Sequence, residues 1–214
     1  MKVLHSKKGI PKPTLTRLCK MYSLFEELEE SGDITISSKK IGQRLGVGSH
    51  NIRKDISYIG EAGTTGSGYD ILKLKEQIQT KLGLEQEHNA CVIGLGRLGM
   101  AIMNEEIPLT QNFKIVAGFD VNINRVETVK TSIPVFPTYE MDAIIPKKAI
   151  ELALITIPGG YLHEILQRLI KSGIKGIVNL TSMLLNYENE NVYISNIDLV
   201  GELRYLSAQF NVHR

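Results

Sequence analysis

Long apolar runs are absent from this chain of 214 residues. None approaches the roughly 18 residues that a membrane-spanning helix needs, so no membrane partner is expected. Cysteine is scarce. The two present, Cys19 and Cys91, fall in a predicted helix and a predicted buried strand. That placement suits reduced thiols in the cytoplasm rather than a disulfide framework. No metal site is expected. The opening Met1-Lys2-Val3-Leu4-His5-Ser6-Lys7-Lys8 has charge but no apolar core, so it is not expected to act as a secretory signal. A strong net charge is missing too, the formal balance being +2. What remains is 43% apolar and 22% charged, an ordinary composition for a soluble globular protein of one or two domains.

The small net charge hides an asymmetry. Residues 1–85 hold 14 Lys+Arg against 10 Asp+Glu, and residues 86–214 hold 11 against 13. Five of the first group of acids sit between Glu26 and Asp33, so the rest of that half is more basic still. A basic N-terminal half points to an anionic partner.

That half patterns as a small helical domain. Pro13 suits the first turn of a helix, and Leu15, Leu18, Tyr22, Phe25 and Leu28 mark one apolar face. Ser31-Gly32-Asp33 ends it, and Ile34-Thr35-Ile36 is a short strand. Ser37 or Ser38 caps a second helix with Ile41 and Leu45 inward. After the tight turn Gly46-Val47-Gly48, Ser49 caps a third, burying Ile52, Ile56 and Ile59. Two short helices joined by a glycine-containing turn form a helix-turn-helix, whose second helix enters the DNA major groove. His50, Arg53, Lys54 and Ser57 lie across from the isoleucines. With Asn51 they are suited to guanine edges, phosphates or other base edges. A plain helical bundle with a solvated Arg-Lys face is the competing reading. Four glycines in residues 60–69 make either a wing or a flexible linker. Thr64, Thr65 and Ser67 would supply the wing's hydrogen bonds. A fourth helix then carries Ile71, Leu74, Ile78 and Leu82, and residues 83–89 form the linker proper.

The second half alternates strand-like runs, at 90–93, 113–119, 133–136, 151–157, 176–180 and 192–194, with helical segments. Such alternation predicts a parallel sheet covered on both faces. Between the first strand and its helix stands Gly94-Leu95-Gly96-Arg97-Leu98-Gly99, and Asp120 follows 21 residues past Gly99. This is the dinucleotide-binding fingerprint in its proper context. Gly94 permits the turn, Gly96 lets backbone approach the pyrophosphate, and Gly99 lets helix and sheet pack closely. The helix N-terminus offers free N–H groups to phosphate. Asp120 would accept from the adenosine ribose and repel a 2′-phosphate, favouring NAD+/NADH. Arg125 is the residue type that accommodates such a phosphate, so NADP(H) is the lesser alternative. Val121 and Thr156-Ile157-Pro158 complete the expected cofactor rim. His163 follows in a helix as a surface residue rather than an acid–base group. Leu199, Leu203, Leu206 and Phe210 form one more apolar helix face, with nothing local to pack on. No substrate domain is left for a reaction, so no enzyme activity is expected.

Taken together, these segments resemble the Rex family, bacterial redox-sensing transcriptional repressors, over nearly the whole chain. The resemblance rests on Ile10-Pro11-Lys12-Pro13-Thr14, Arg17-Leu18, Val47-Gly48, Ile52-Arg53-Lys54-Asp55-Ile56-Ser57-Tyr58-Ile59-Gly60, Gly66-Ser67-Gly68-Tyr69, the glycine fingerprint, Phe119-Asp120, Gly173-Ile174-Lys175-Gly176-Ile177 with Asn179, and Asn196-Ile197-Asp198-Leu199. It implies a homodimer with winged-helix heads on a palindromic DNA operator, bound with NAD+ or no ligand and released by NADH. The DNA-reading set would be Ser49, His50, Asn51, Arg53, Lys54, Ser57 and Tyr58, with Arg17. Arg17 and Asp198 match an Arg and an Asp used between domains and subunits. The chain departs from its relatives at Asn104-Glu105-Glu106, where many have a Tyr, and at Asn179-Leu180-Thr181-Ser182, where Asn-Phe-Ala-Pro is common. Both places fall where the two nicotinamide states would be told apart. The expected organisation is an α/β protein: a winged helix over 1–85, a Rossmann-type doubly wound sheet over 86–195, and a dimer-exchanged C-terminal helix over 196–214. Its competitors are a small NAD-dependent oxidoreductase and a regulator that senses another adenine nucleotide, such as coenzyme A or ATP.

Overall fold

Pro11 holds an extended backbone, and the chain turns helical directly after it. Helix α1 runs Lys12–Glu30 with Pro13 in its first turn. The protein is a computed structural model, described over residues 9–60, 68–104, 112–187 and 191–212. It divides into two units, one ending at Gln86 and the other beginning at Glu87.

In the first unit, α1 is followed by β1 (Thr35–Ile36), α2 (Ser38–Leu45), α3 (Ser49–Ser57), β2 (Tyr69–Asp70) and α4 (Ile71–Leu82). β1 and β2 pair antiparallel, Thr35 opposite Asp70 and Ile36 opposite Tyr69. This ribbon is the base of the glycine-rich segment; residues 61–67, with Thr64, Thr65 and Ser67, lie outside the described residues. One apolar core gathers Leu18, Met21, Phe25, Ile41, Ile52, Ile56, Ile71, Leu74 and Ile78. The face of α1 differs from the expected one. Leu15 is 40% exposed, whereas Met21 and Leu24 are buried. The helix meets α2, α3 and α4, so its inward stripe is centred on Leu18, Met21, Phe25 and Leu28. Ser37 caps α2 by accepting from the Lys40 N–H at 3.2 Å. Ser49 does not cap α3: the N-cap is Gly48, without a side-chain bond.

In the second unit, β3 (His88–Ile93), β4 (Phe113–Asp120), β5 (Val135–Pro137), β6 (Ile150–Ile155), β7 (Gly176–Asn179) and β8 (Tyr193–Asn196) form one sheet. All neighbours are parallel, in the order β5-β4-β3-β6-β7-β8. This is the doubly wound order, with its reversal at β3. Helices α5 (Arg97–Met103) and α6 (Ile123–Thr128) serve one face, where Ile102, Met103 and Val126 pack. Helices α7 (Met141–Lys147) and α8 (Leu162–Lys171) cover the other with Met141, Ile145, Ile165 and Leu169. Helix α9 (Leu199–Val212) ends the described chain and buries none of its residues. The expected linker is shorter than composition suggested. His88 and Asn89 already belong to β3, opposite Phe113 and Lys114, a pairing that local sequence does not reveal. Both cysteines are free, and burial pushes the Cys91 thiol well up.

Gly42, inside α2, is fixed by close approach. A Cβ there would stand 2.4 Å from the Val47 carbonyl oxygen and 3.3 Å from the Ser49 nitrogen, both main chain. Alanine favours helix over glycine by about 1 kcal/mol. Forced into this turn it costs about 1–3 kcal/mol as overpacking. Gly42→Ala is therefore expected to lower the thermal unfolding midpoint; an unchanged or higher midpoint would contradict the contact.

Candidate functional site

On the first unit, α2, the turn at residues 46–48 and α3 make the helix-turn-helix. Ile52 and Ile56 are buried, which turns His50, Asn51, Arg53, Lys54 and Ser57 outward, all exposed; Ser49 and Tyr58 are half-buried. Arg53 Nη1 donates to Ser38 Oγ at 3.2 Å, tying the recognition helix to its neighbour. Among the described residues, neither Arg53 nor Lys54 enters an ion pair, so both charges remain open to an anion.

Arg17 is placed differently. Its Nε and one terminal nitrogen donate to the two Asp55 carboxylate oxygens at 2.5 and 2.8 Å, and Thr14 Oγ1 accepts at 3.3 Å. Asp55 is fully buried. Hydrogen bonding to Asp55 raises the Arg17 pKa further above its ordinary value. The role of Asp55 was missed in sequence, although an acid on the isoleucine face of a helix signals a buried partner.

On the second unit, the carboxyl ends of β3, β4, β6 and β7 converge. Gly94 has φ +101°, and its N–H donates to the Phe119 carbonyl at 2.7 Å. A Cβ on Gly99 would fall 1.8 Å from the Gly94 oxygen, so α5 lies directly on this turn. A Cβ on Gly96, the N-cap of α5, would meet nothing within 4 Å. The space before the helix is thus free for a ligand, and free N–H groups and a helix dipole suit an anionic one. Arg97 and Leu98 are exposed beside it; the Leu95 side chain is buried and leaves only its main chain to this rim.

Asp120 ends β4 and is 2% exposed. Its carboxylate accepts from the Leu95 N–H at 2.7 Å, the Asn122 N–H at 2.8 Å and Arg125 Nη1 at 3.0 Å. It braces the glycine turn from below, a duty its sequence position did not disclose. Val121 beside it is exposed. Thr156 Oγ1 is within hydrogen-bonding reach of the Ile93 and Gly94 carbonyls, at 3.1 and 2.9 Å, joining the ends of β3 and β6. Ile157 is buried and Pro158 exposed.

At the end of β7, Asn179 organises the segment that departs from the expected family pattern. Its Oδ1 accepts from the Thr181 N–H and hydroxyl at 3.1 and 2.8 Å. Its Nδ2 donates to the Met183 carbonyl and to Asn196 Oδ1, each at 2.7 Å. Met183 lies against Gly159, where a Cβ would stand 2.2 Å from its sulfur. The earlier departure falls at Asn104, which ends α5; Glu105 and Glu106 lie outside the described residues. His163 is exposed on α8. Asp198 Oδ1 accepts from the Gly201 N–H at 2.9 Å at the start of α9, whose Leu199, Leu203, Leu206 and Phe210 are all exposed. A cavity of about 480 Å³ lies instead at the amino-terminal strand ends, among Glu87, Asn89, Glu151 and Lys175, away from the glycine turn. No helix among the described residues is long and apolar enough to cross a membrane, and no group of three or more His, Cys, Asp or Glu there could hold a metal.

Comparison with known proteins bears on both units. Residues 9–57 match the family model "Putative DNA-binding protein N-terminus" and residues 85–183 the model "CoA binding domain". A redox-sensing transcriptional repressor Rex from Carboxydothermus hydrogenoformans is 33% identical over 205 residues, 96% of this chain and 97% of that one. Among solved structures, the Rex-family repressor RSP in complex with NAD+ and operator DNA superposes with a TM-score of 0.84 at 27% identity, covering 97% of this chain and 95% of the other. The RSP complex with NADH gives 0.82 at 25% identity, covering 97% of each. The likeness thus spans the winged helix, the parallel sheet and the chain between them, as the motifs led one to expect. The chain belongs to the Rex family of redox-sensing transcriptional repressors.

Proposed function

We propose that the protein represses transcription by binding a palindromic DNA operator with NAD+ or no ligand, and that NADH releases it. The observation that carries this reading is the pairing, in one chain, of an open dinucleotide turn at Gly96 with an unpaired Arg53–Lys54 face on a helix-turn-helix. Residues 1–85 read DNA through Ser49, His50, Asn51, Arg53, Lys54, Ser57 and Tyr58. Residues 86–195 hold the dinucleotide. Gly94, Leu95, Gly96, Arg97, Leu98 and Gly99 serve the pyrophosphate, Asp120 with Val121 the adenosine ribose, and Thr156, Ile157 and Pro158 the nicotinamide side. Residues 196–214 make a homodimer, since the bare apolar face of α9 is met by a second subunit, where Asp198 also takes part. The cofactor is a sensed ligand and not a reagent. The protein is not an enzyme, needs no metal and works in the cytoplasm.

The switch follows from charge. A ligand shifts two conformations only as far as it binds them unequally. Neutral dihydronicotinamide enters an apolar pocket that a cationic nicotinamide avoids, because burying an unpaired charge is expensive. The loop held by Asn179, with Met183 on Gly159, borders that end of the crevice.

Gel-shift titration on a palindromic site is expected to show complex lost as the NADH/NAD+ ratio rises; equal binding at all ratios would sink the redox reading. Coenzyme A serves as the control ligand and should leave the complex intact. Replacing Arg53 and Lys54 by Ala should abolish operator binding, and retained affinity would remove the recognition helix from the reading. Asp120→Ala removes a charged acceptor worth about 1.5–3 kcal/mol. Calorimetry should show NADH binding weakened about 10- to 100-fold. An unchanged constant would refute the role of Asp120.

A further inference from the structure

Asp55 is an unusual residue for a DNA-reading helix. It follows Arg53 and Lys54, yet it is fully buried. A helix turns about 100° per residue, so Asp55 lies about 200° from Arg53, on the isoleucine side. A carboxylate there adds negative charge beside a surface meant for phosphate. It is met by a planar cation reaching from α1: Arg17 grips both carboxylate oxygens at 2.5 and 2.8 Å while Thr14, itself buried, accepts at 3.3 Å. The contacts of Ile52, Ile56 and Ile59 hold α3 against the core, but apolar packing is non-directional and sets the helix's roll only loosely. A two-pronged guanidinium–carboxylate pair is directional. It fixes one azimuth of α3 and, through the rigid helix, the opposite one.

We infer that Arg17 is a positioning residue for DNA reading: gripping Asp55 from α1, it sets the roll of α3 and so the direction in which Arg53 and Lys54 are presented. The inference rests on the DNA-binding reading above. It takes Arg17 out of the set of direct phosphate contacts, to which its charge alone would assign it. Arg53 is steadied from a second side by Ser38 at 3.2 Å, so α3 is held by bonds from both α1 and α2.

The two roles differ in salt dependence. A lost phosphate contact shrinks the slope of log affinity against log salt by about one per head, whereas a mispointed helix loses sequence discrimination at constant slope. The experiment uses the full chain and an operator duplex selected from random sequence, beside a non-operator duplex of equal length, over a range of salt. R17Q/D55N replaces the ion pair by two neutral amides. Its operator-to-non-operator affinity ratio is expected to fall at least 10-fold with the slope unchanged. R17K keeps the charge and loses the fork, a change that is not conservative at a bidentate site. Its ratio should fall several-fold, again with constant slope and native circular dichroism. A slope reduced by about one per head in R17Q/D55N makes Arg17 a phosphate contact and overturns the inference. So does an unchanged ratio in either variant, and R17K alone decides if the double variant does not fold. A wild-type chain with no preference for any duplex would instead sink the DNA-binding reading itself.

Discussion

A carboxylate taken out of water must be met by donors, and this requirement governs both working surfaces of the protein. Among the described residues, the buried charged side chains are Asp55 and Asp120. Each is met by an arginine from another segment, Arg17 for Asp55 and Arg125 for Asp120. An unpaired buried charge would cost several kcal/mol, so these pairs tolerate little rearrangement. Asp55 thereby couples the recognition helix to α1. Asp120 couples the end of β4 to the glycine turn through the Leu95 N–H and to the start of α6 through Asn122.

The glycine turn shows how little freedom such aiming leaves. With the Gly94 oxygen directly beneath Gly99, any side chain there would push α5 off the turn, and glycine lets its N-terminus sit at the mouth of the crevice. Thr156 ties the neighbouring strand end to the same two carbonyls. On the far side, Asn179 and Asn196 bind the segment after β7 to β8. A satisfied set of hydrogen bonds around one buried amide orders this loop.

Much of this was legible beforehand. Apolar runs locate each strand of the parallel sheet to within about two residues, whereas the short β2 at Tyr69–Asp70 has no such signal; the helix-turn-helix is visible in Ile41, Ile52, Ile56 and the glycines between them. The misreadings share a cause. Local sequence places Leu15 in the core of α1, Ser49 at a cap and residues 88–89 in a linker, and the structure has each otherwise. Local pattern fixes the kind of element, but neighbours distant in sequence choose its inward azimuth and its last residue. Met21 is buried because α1 packs on three other helices, and His88 is a strand because Phe113 lies beside it.

By itself, the sequence determined the two-part organisation, the strand–turn–helix around Gly94 and Gly99, and the basic residues that α3 turns outward. These depend on short-range spacing, on glycine's lack of a side chain and on the period of a helix. Only the tertiary structure decided what the buried acids do. That Asp55 meets Arg17 across 38 residues, and that Asp120 supports the turn 25 residues before it, follows from packing. A charge can be buried only where the fold brings it a partner, and that meeting is invisible in one dimension.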